Sequence, residues 1–267
     1  MMDNDDRQIG QILSRREILA LFGATGAAWL AGCVPTPSAG SPPTSVAGAT
    51  ATTSSITQGA SVATSITTPT CIVRPALTEG PYFVDEKLNR SDIRSDPSDG
   101  KVREGLPLQL IFNVSQIDAA GCTALEGAMV DVWHCDALGV YSDAADRSFN
   151  TKGQKFLRGY QLTDVKGIAQ FTTIYPGWYQ GRAVHIHFKI RTNGGSGAAH
   201  DFTSQLFFDE TITDQVYAQA PYASKGQRTL RNEGDSIFNQ GGNQLLLAPT
   251  QADQGYTATF DIGLNLA

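Results

Sequence analysis

The chain has 267 residues, with 20 lysines and arginines against 26 aspartates and glutamates, and a net charge of −6. Removing the first 32 residues, which carry −1, leaves −5 and no basic run. That balance argues against binding nucleic acid or an anionic bilayer through a polybasic surface.

The first 70 residues read as an export signal and a tether. Ser14-Arg15-Arg16-Glu17-Ile18-Leu19 is a twin-arginine pattern, followed over residues 19–30 by an apolar stretch rich in alanine and glycine. Spanning a bilayer takes about 20 apolar residues, so this stretch reads as a signal peptide. Leu30-Ala31-Gly32-Cys33 looks like a bacterial lipobox with Cys33 as the lipidated residue. A leader cut by an ordinary signal peptidase is the other reading. Residues 34–70 are rich in Ser, Thr, Ala, Gly and Pro and carry no charge. Such a segment cannot bury enough apolar surface to fold and reads as a tether. The expected organisation is a leader over 1–32, a tether over 33–70 and one folded domain over 71–267. The expected location is outside the cytoplasmic membrane, on a lipid anchor. Twin-arginine export carries folded proteins, which fits a cofactor loaded before export.

Beyond residue 70, short strand-like runs stand at residues 108–114, 128–135, 168–173, 184–190, 204–208 and 256–262, separated by turn residues. This predicts an all-β chain forming a single β-sandwich. Helix is expected only near residues 213–217 and 228–231, and no repeat of 20–50 residues is present. With Cys33 assigned to lipid, three cysteines remain. Cys71 and Cys122 lie in loop-like surroundings and are the expected disulfide outside the cytoplasm. Cys135, beside Trp133, is expected as a buried thiol. His134 is expected as a hydrogen-bonded core histidine, and Tyr160 and Tyr175 as packing residues. His200 follows a glycine-rich loop and is expected to be exposed.

His185-Ile186-His187 is the most informative feature, holding two of only four histidines. On a strand, side chains alternate with period two, so both imidazoles share one face. Such pairs also serve as solvent-facing or hydrogen-bonding groups. Val184 and Phe188 bracket this one, which implies a half-buried strand where imidazoles need partners. Imidazole nitrogen with anionic phenolate oxygen forms an N/O donor set for a transition metal.

Pro176-Gly177-Trp178-Tyr179 followed by Arg182-Ala183-Val184-His185-Ile186-His187-Phe188 resembles the intradiol ring-cleavage dioxygenases. The run from Val130 through Trp133 to Gly139-Val140-Tyr141, and the segment Thr78-Glu79-Gly80-Pro81-Tyr82-Phe83, match the same family in order. The resemblance covers residues 71–262. It implies that Tyr141, Tyr179, His185 and His187 hold one non-haem Fe(III) per chain. Two phenolates offset two of the three charges and favour the ferric state. It further implies a catechol-type diol and O2 as substrates, cleaved between the two hydroxylated carbons to a cis,cis-muconate-type diacid. Tyr179 is implied to release the metal and take the substrate's proton. Arg182 is implied to stabilise negative charge on the ring. Tyr82 is a candidate for the mouth of the substrate pocket, with a Gly-Pro-Tyr turn packed on the sheet as the equal alternative, and Gln205 is a pocket candidate on a strand that the resemblance implies runs beside the iron. The chain departs from the classical enzymes in its short segment between Tyr179 and His185, which leaves the particular diol open. Whether the chain forms a homo-oligomer is also open. A different class remains in view: a lipid-anchored β-sandwich that binds a metal or carbohydrate without catalysis.

Overall fold

The computed structural model describes residues 71–119, 121–192 and 199–266. The leader, Cys33 and the tether lie outside the described residues. Among the described residues no helix is long and apolar enough to cross a membrane.

Among the described residues ten strands form two five-stranded sheets. They are β1 (Pro107–Asp118), β2 (Gly121–Ala124), β3 (Met129–Trp133), β4 (Arg158–Leu162), β5 (Ile168–Ile174), β6 (His185–Arg191), β7 (Asp201–Phe208), β8 (Leu246–Leu247), β9 (Thr250–Ala252) and β10 (Gly255–Asn265). The first sheet runs β2-β1-β10-β9, with β5 also paired to β1. The second runs β4-β3-β6-β7-β8. β1 and β10 are parallel, with Leu108 opposite Tyr256 and Val114 opposite Ile262. The fold is the β-sandwich that the strand pattern predicts.

Alternation builds the core between the sheets. Leu108, Leu110, Phe112 and Val114 of β1 point inward with Ala258, Phe260, Ile262 and Leu264 of β10. Ile186, Phe188 and Ile190 of β6 meet them from the second sheet. Phe112 bridges the layers, with ring centroids 5.3 Å from Phe188 and 6.0 Å from Phe260. Each such ring contributes roughly 1.5–3 kcal/mol through burial.

β6 is buried along both faces over His185–Ile190. The face turned away from the core carries His185, His187 and Lys189. A second apolar cluster covers it, made of Trp133, Cys135, Tyr141 and Ala144 with Tyr82, Phe83, Phe149 and Tyr179 against them. Lys189 pairs with Glu79, and its ammonium sits 4.3 Å from the Phe83 ring centroid. These contacts pin the segment carrying Tyr82 onto the outer face of the sheet.

Some local expectations need correction and others hold. Residues 228–231 are not helical, because Arg228 and Arg231 are drawn to Glu210 and Asp214 instead. Among the described residues the α-helix is α1 (Glu210–Tyr217), started by Asp209, which accepts from the amides of Thr211 and Ile212. Cys122 lies in β2 rather than a loop, and the structure joins it to Cys71 in a disulfide. Cys135 lies just beyond β3 as a buried free thiol, donating to the Gly177 carbonyl at 3.3 Å. His134 is a core histidine, with its ring nitrogens 2.8 Å from the Cys135 carbonyl and 2.7 Å from Thr173 Oγ1. His200 is half-buried, because its amide donates to Thr192 Oγ1. Tyr175 is fully buried and Tyr160 half-buried.

Candidate metal centre

The register of the second sheet lays the site out. Arg158 of β4 stands opposite Trp133 of β3, Trp133 opposite His187 of β6, and His187 opposite Gln205 of β7. Directly paired residues project from the same face of a sheet, so these four side chains form one row. Trp133 and His187 stack, with centroids 5.0 Å apart and planes within 8°. His185 lies two residues along β6 on the same face. A one-residue slip would turn the whole row into the core.

The two imidazoles converge. Their Nε2 atoms are 2.9 Å apart. His185 Nδ1 is 2.7 Å from the Ala183 carbonyl, so it carries the proton and leaves Nε2 with a lone pair. His187 therefore donates through Nε2 to His185, and its buried Nδ1 has no partner. Burial first, then the nearby Arg182 cation, holds both groups well below the usual imidazole range. Both rings are neutral at pH 7, the form that binds a metal.

Two loops bring the tyrosines to the pair. Tyr141 is buried, with Oη 3.4 Å from His185 Nε2. Tyr179 stands edge-on to Tyr141 at 5.6 Å between centroids and lies 5.8 Å from the His185 ring. The loops touch backbone to backbone, and this requires their glycines. Gly139 has φ +78°, and a Cβ there would fall 2.0 Å from the Trp178 carbonyl oxygen. A Cβ on Gly177 would fall 2.4 Å from the Asp136 carbonyl oxygen. Gly177 N donates to that carbonyl at 3.1 Å, and the Lys225 ammonium donates to Leu138 O and Trp178 O across both loops. Burial raises both phenols above their ordinary range, Tyr141 the more strongly, while Arg182 opposes the rise at each. A bound cation reverses that balance and favours phenolate.

Arg182 is held from two sides. Its Nε donates to Asp235 Oδ2 at 2.9 Å and its Nη2 to Gln205 Oε1 at 2.6 Å. Gln205 Nε2 in turn donates to the Thr78 carbonyl at 2.9 Å. Nη1 faces His185 Nε2 at 3.5 Å. Tyr82 stacks on Tyr141 at 4.4 Å and donates from Oη to Asp146 at 2.5 Å. The structure thus gathers Tyr141, Tyr179, His185, His187 and Arg182, with Gln205 and Tyr82 beside them. Cys71 and Cys122 lie on the first sheet's β2 side. Sequence reasoning missed Asp235 and Arg158, because neither sits in a motif or near the histidines in the chain. Among the described residues no group of three or more His, Cys, Asp or Glu gathers. The donor set is therefore two imidazoles with phenols. That set fits a hard, high-valent transition-metal ion.

A family model described as Dioxygenase matches residues 78–264, well over half of the chain. The chain belongs to the intradiol ring-cleavage dioxygenases. Solved structures of this family share the fold. An intradiol ring-cleavage dioxygenase from Tetranychus urticae is 31% identical with a TM-score of 0.62, covering 73% of this chain and 95% of that one. The dioxygenase domain of a dioxygenase carbohydrate-binding protein fusion from Streptomyces sp. SirexAA-E is 28% identical with a TM-score of 0.51, covering 73% of this chain and all of that one. Among curated proteins, catechol 1,2-dioxygenase from Candida albicans is 33% identical over 116 residues, 35% of this chain. The match spans 36% of that relative's length. Family members generally use non-haem Fe(III).

Proposed function

We propose that this protein is a non-haem Fe(III) intradiol dioxygenase that opens a catechol-type ring with O2 between its two hydroxylated carbons. The observation that carries this reading is the convergence of the His185 and His187 Nε2 atoms, 2.9 Å apart, beside Tyr141 and Tyr179. Tyr141, Tyr179, His185 and His187 would hold the iron. When bound, the iron supplies a Lewis acid and template that activates the diol toward O2.

The chain's own residues then divide the work. Tyr141 is the buried phenol. Tyr179 is half-buried and faces the cluster from the rim. That exposure suits it to leave the cluster and take a proton from a substrate hydroxyl at its Oη. Arg182 keeps Nη1 toward the cluster while Asp235 and Gln205 occupy its other donors. A cation fixed in that direction stabilises negative charge growing on a bound ring without reorganising. Tyr82 walls the approach, and the aromatic cluster around Tyr141 excludes water. The non-catalytic binding module has no observation in its favour.

The test uses purified protein loaded with iron and offered a panel of diols under O2. The expected result is a red to brown charge-transfer colour and a colourless cis,cis-muconate-type diacid. A yellow semialdehyde, or full activity of colourless zinc protein, would overturn the proposal. We further propose twin-arginine export and anchoring through lipid on Cys33. Cys33→Ser should release the mature protein from the membrane fraction, and replacing Arg15 and Arg16 by Lys should strand the precursor inside. Wild-type protein that is soluble after export would sink the lipid anchor.

A further inference from the structure

Lys225 directs its ammonium at the two loops that carry Tyr141 and Tyr179. It is half-buried, at the end of a 3-10 turn over Tyr222–Lys225. Nζ donates to the Leu138 carbonyl and, at 2.6 Å, to the Trp178 carbonyl. It also lies 4.6 Å from the Trp178 ring centroid. Leu138 stands three residues before Tyr141, and Trp178 immediately before Tyr179. Among the described residues no carboxylate forms an ion pair with Lys225. A lysine ordinarily keeps its ammonium in water. Here two carbonyls and a ring face take up its charge instead. Gly139 leaves the space for it, because a Cβ there would meet Nζ.

The base of the turn is fixed to the Tyr179 loop. Tyr222 is 2% exposed. Its Oη donates to the Tyr175 carbonyl at 2.7 Å and accepts from the Leu106 amide at 2.9 Å. Just past the turn, the Gly226 carbonyl accepts from Trp178 Nε1 at 3.3 Å. The Tyr141 loop reaches this anchored turn through Lys225. Two other bonds join the loops, from Gly177 N to Asp136 O at 3.1 Å and from Cys135 Sγ to Gly177 O at 3.3 Å. Both stand further from Tyr141 in the chain than Leu138 does, so Lys225 adds a joint closer to the two tyrosines.

We infer that Lys225 is a positioning residue that clamps the Tyr141 and Tyr179 loops together, so that Tyr179 leaves the cluster by turning its side chain about a backbone that stays in place. The role in catalysis rests on the proposed function of Tyr179, whereas the clamp itself is present in the metal-free protein. Proton transfer needs heavy atoms within hydrogen-bond reach. A clamp on the Trp178 carbonyl holds the adjacent Tyr179 backbone to that tolerance. Binding of the diol does not depend on it, so its loss falls on turnover.

The test starts without metal. Lys225→Met keeps the stem and removes the ammonium. Amide hydrogen exchange should rise in residues 136–141 and 176–181 while both sheets stay as protected as in wild type. Loaded with iron, the variant should lose about 10²-fold in kcat, the cost of a misplacement of roughly 1 Å, with KM for catechol little changed. Lys225→Cys should show the same losses. Alkylating that thiol with bromoethylamine rebuilds an amine of lysine length and should restore both loop protection and kcat, whereas a neutral cap from iodoacetamide should not. Cys135 is buried and Cys71 is bonded to Cys122, so neither competes for the reagent. If Lys225→Met does not fold, Lys225→Cys compared before and after alkylation carries the test. Loop exchange that is unchanged, or that rises equally across both sheets, overturns the inference and leaves the proposed function standing; so does full rescue by the neutral cap. Iron-loaded wild-type protein that cleaves no diol overturns the proposed function, and the role of Lys225 in it.

Discussion

Asp235→Ala should be among the most damaging single substitutions outside the proposed ligands. The carboxylate side chain is 1% exposed and its Arg182 partner 12%. Oδ2 accepts both Arg182 Nε and the Ala183 amide at 2.9 Å, and Oδ1 accepts the Ile237 amide at 2.8 Å. Alanine would leave the guanidinium buried and unpaired, and the buried Ala183 amide without this acceptor. Removing one partner of a buried pair costs about 3–5 kcal/mol. The lost amide bonds overlap with that cost and do not add in full. We expect about 4 kcal/mol, which in a domain of this size lowers the melting midpoint by about 8–16 °C. Calorimetry on the metal-free protein measures it, so the result does not depend on iron loading. Combining Asp235→Leu with Arg182→Met removes both charges and should recover a large part of the loss. A single-mutant shift below about 3 °C, or a double mutant no better than Asp235→Ala, would refute the reasoning.

Three other outcomes follow from the geometry. Arg182→Gln should keep iron and still show a spectral shift with catechol, yet cleave it about 10²–10³-fold more slowly in steady-state oxygen uptake. Gly139→Ala forces a Cβ against the Trp178 carbonyl oxygen at a positive φ, costing about 1–3 kcal/mol; iron retention after dialysis should fall while far-ultraviolet dichroism stays native. Burial pushes His134 down to about 4 from an ordinary 6.5, opposed only by its hydrogen bond to the Cys135 carbonyl. The unfolded chain therefore binds a proton that the folded one refuses. Stability is full above pH 6.5 and falls as pH drops toward 4, by about 3 kcal/mol from this one group. His185 and His187 contribute in the same direction in the metal-free protein. Denaturant titrations at pH 4.5 and 7 should show a smaller pH difference for His134→Gln than for wild type; an equal difference would refute the assignment.

Local spacing determined a good deal about this protein. The period of two in His185-Ile186-His187 sends both imidazoles to one face whatever the strand's neighbours are. The inward residues of β1, β6 and β10 were legible for the same reason. So were the glycines before Tyr141 and Tyr179, because a turn marks itself in a few consecutive residues. β4 was not legible, since Arg158-Gly159-Tyr160-Gln161-Leu162 does not alternate. Gly159 is there because Ile93 and Arg90 pack where its side chain would be, and that contact belongs to the tertiary structure. The non-helical course of residues 228–231 was not legible either, since the carboxylates that hold Arg228 and Arg231 sit on α1, well before them in the chain. Only the tertiary structure brought Asp235 to Arg182 and Arg158 to Ser142, across 53 and 16 steps of chain. Pattern along a strand is set by nearest neighbours, whereas charge compensation in a buried site is set by whatever the folded sheets bring within hydrogen-bond reach.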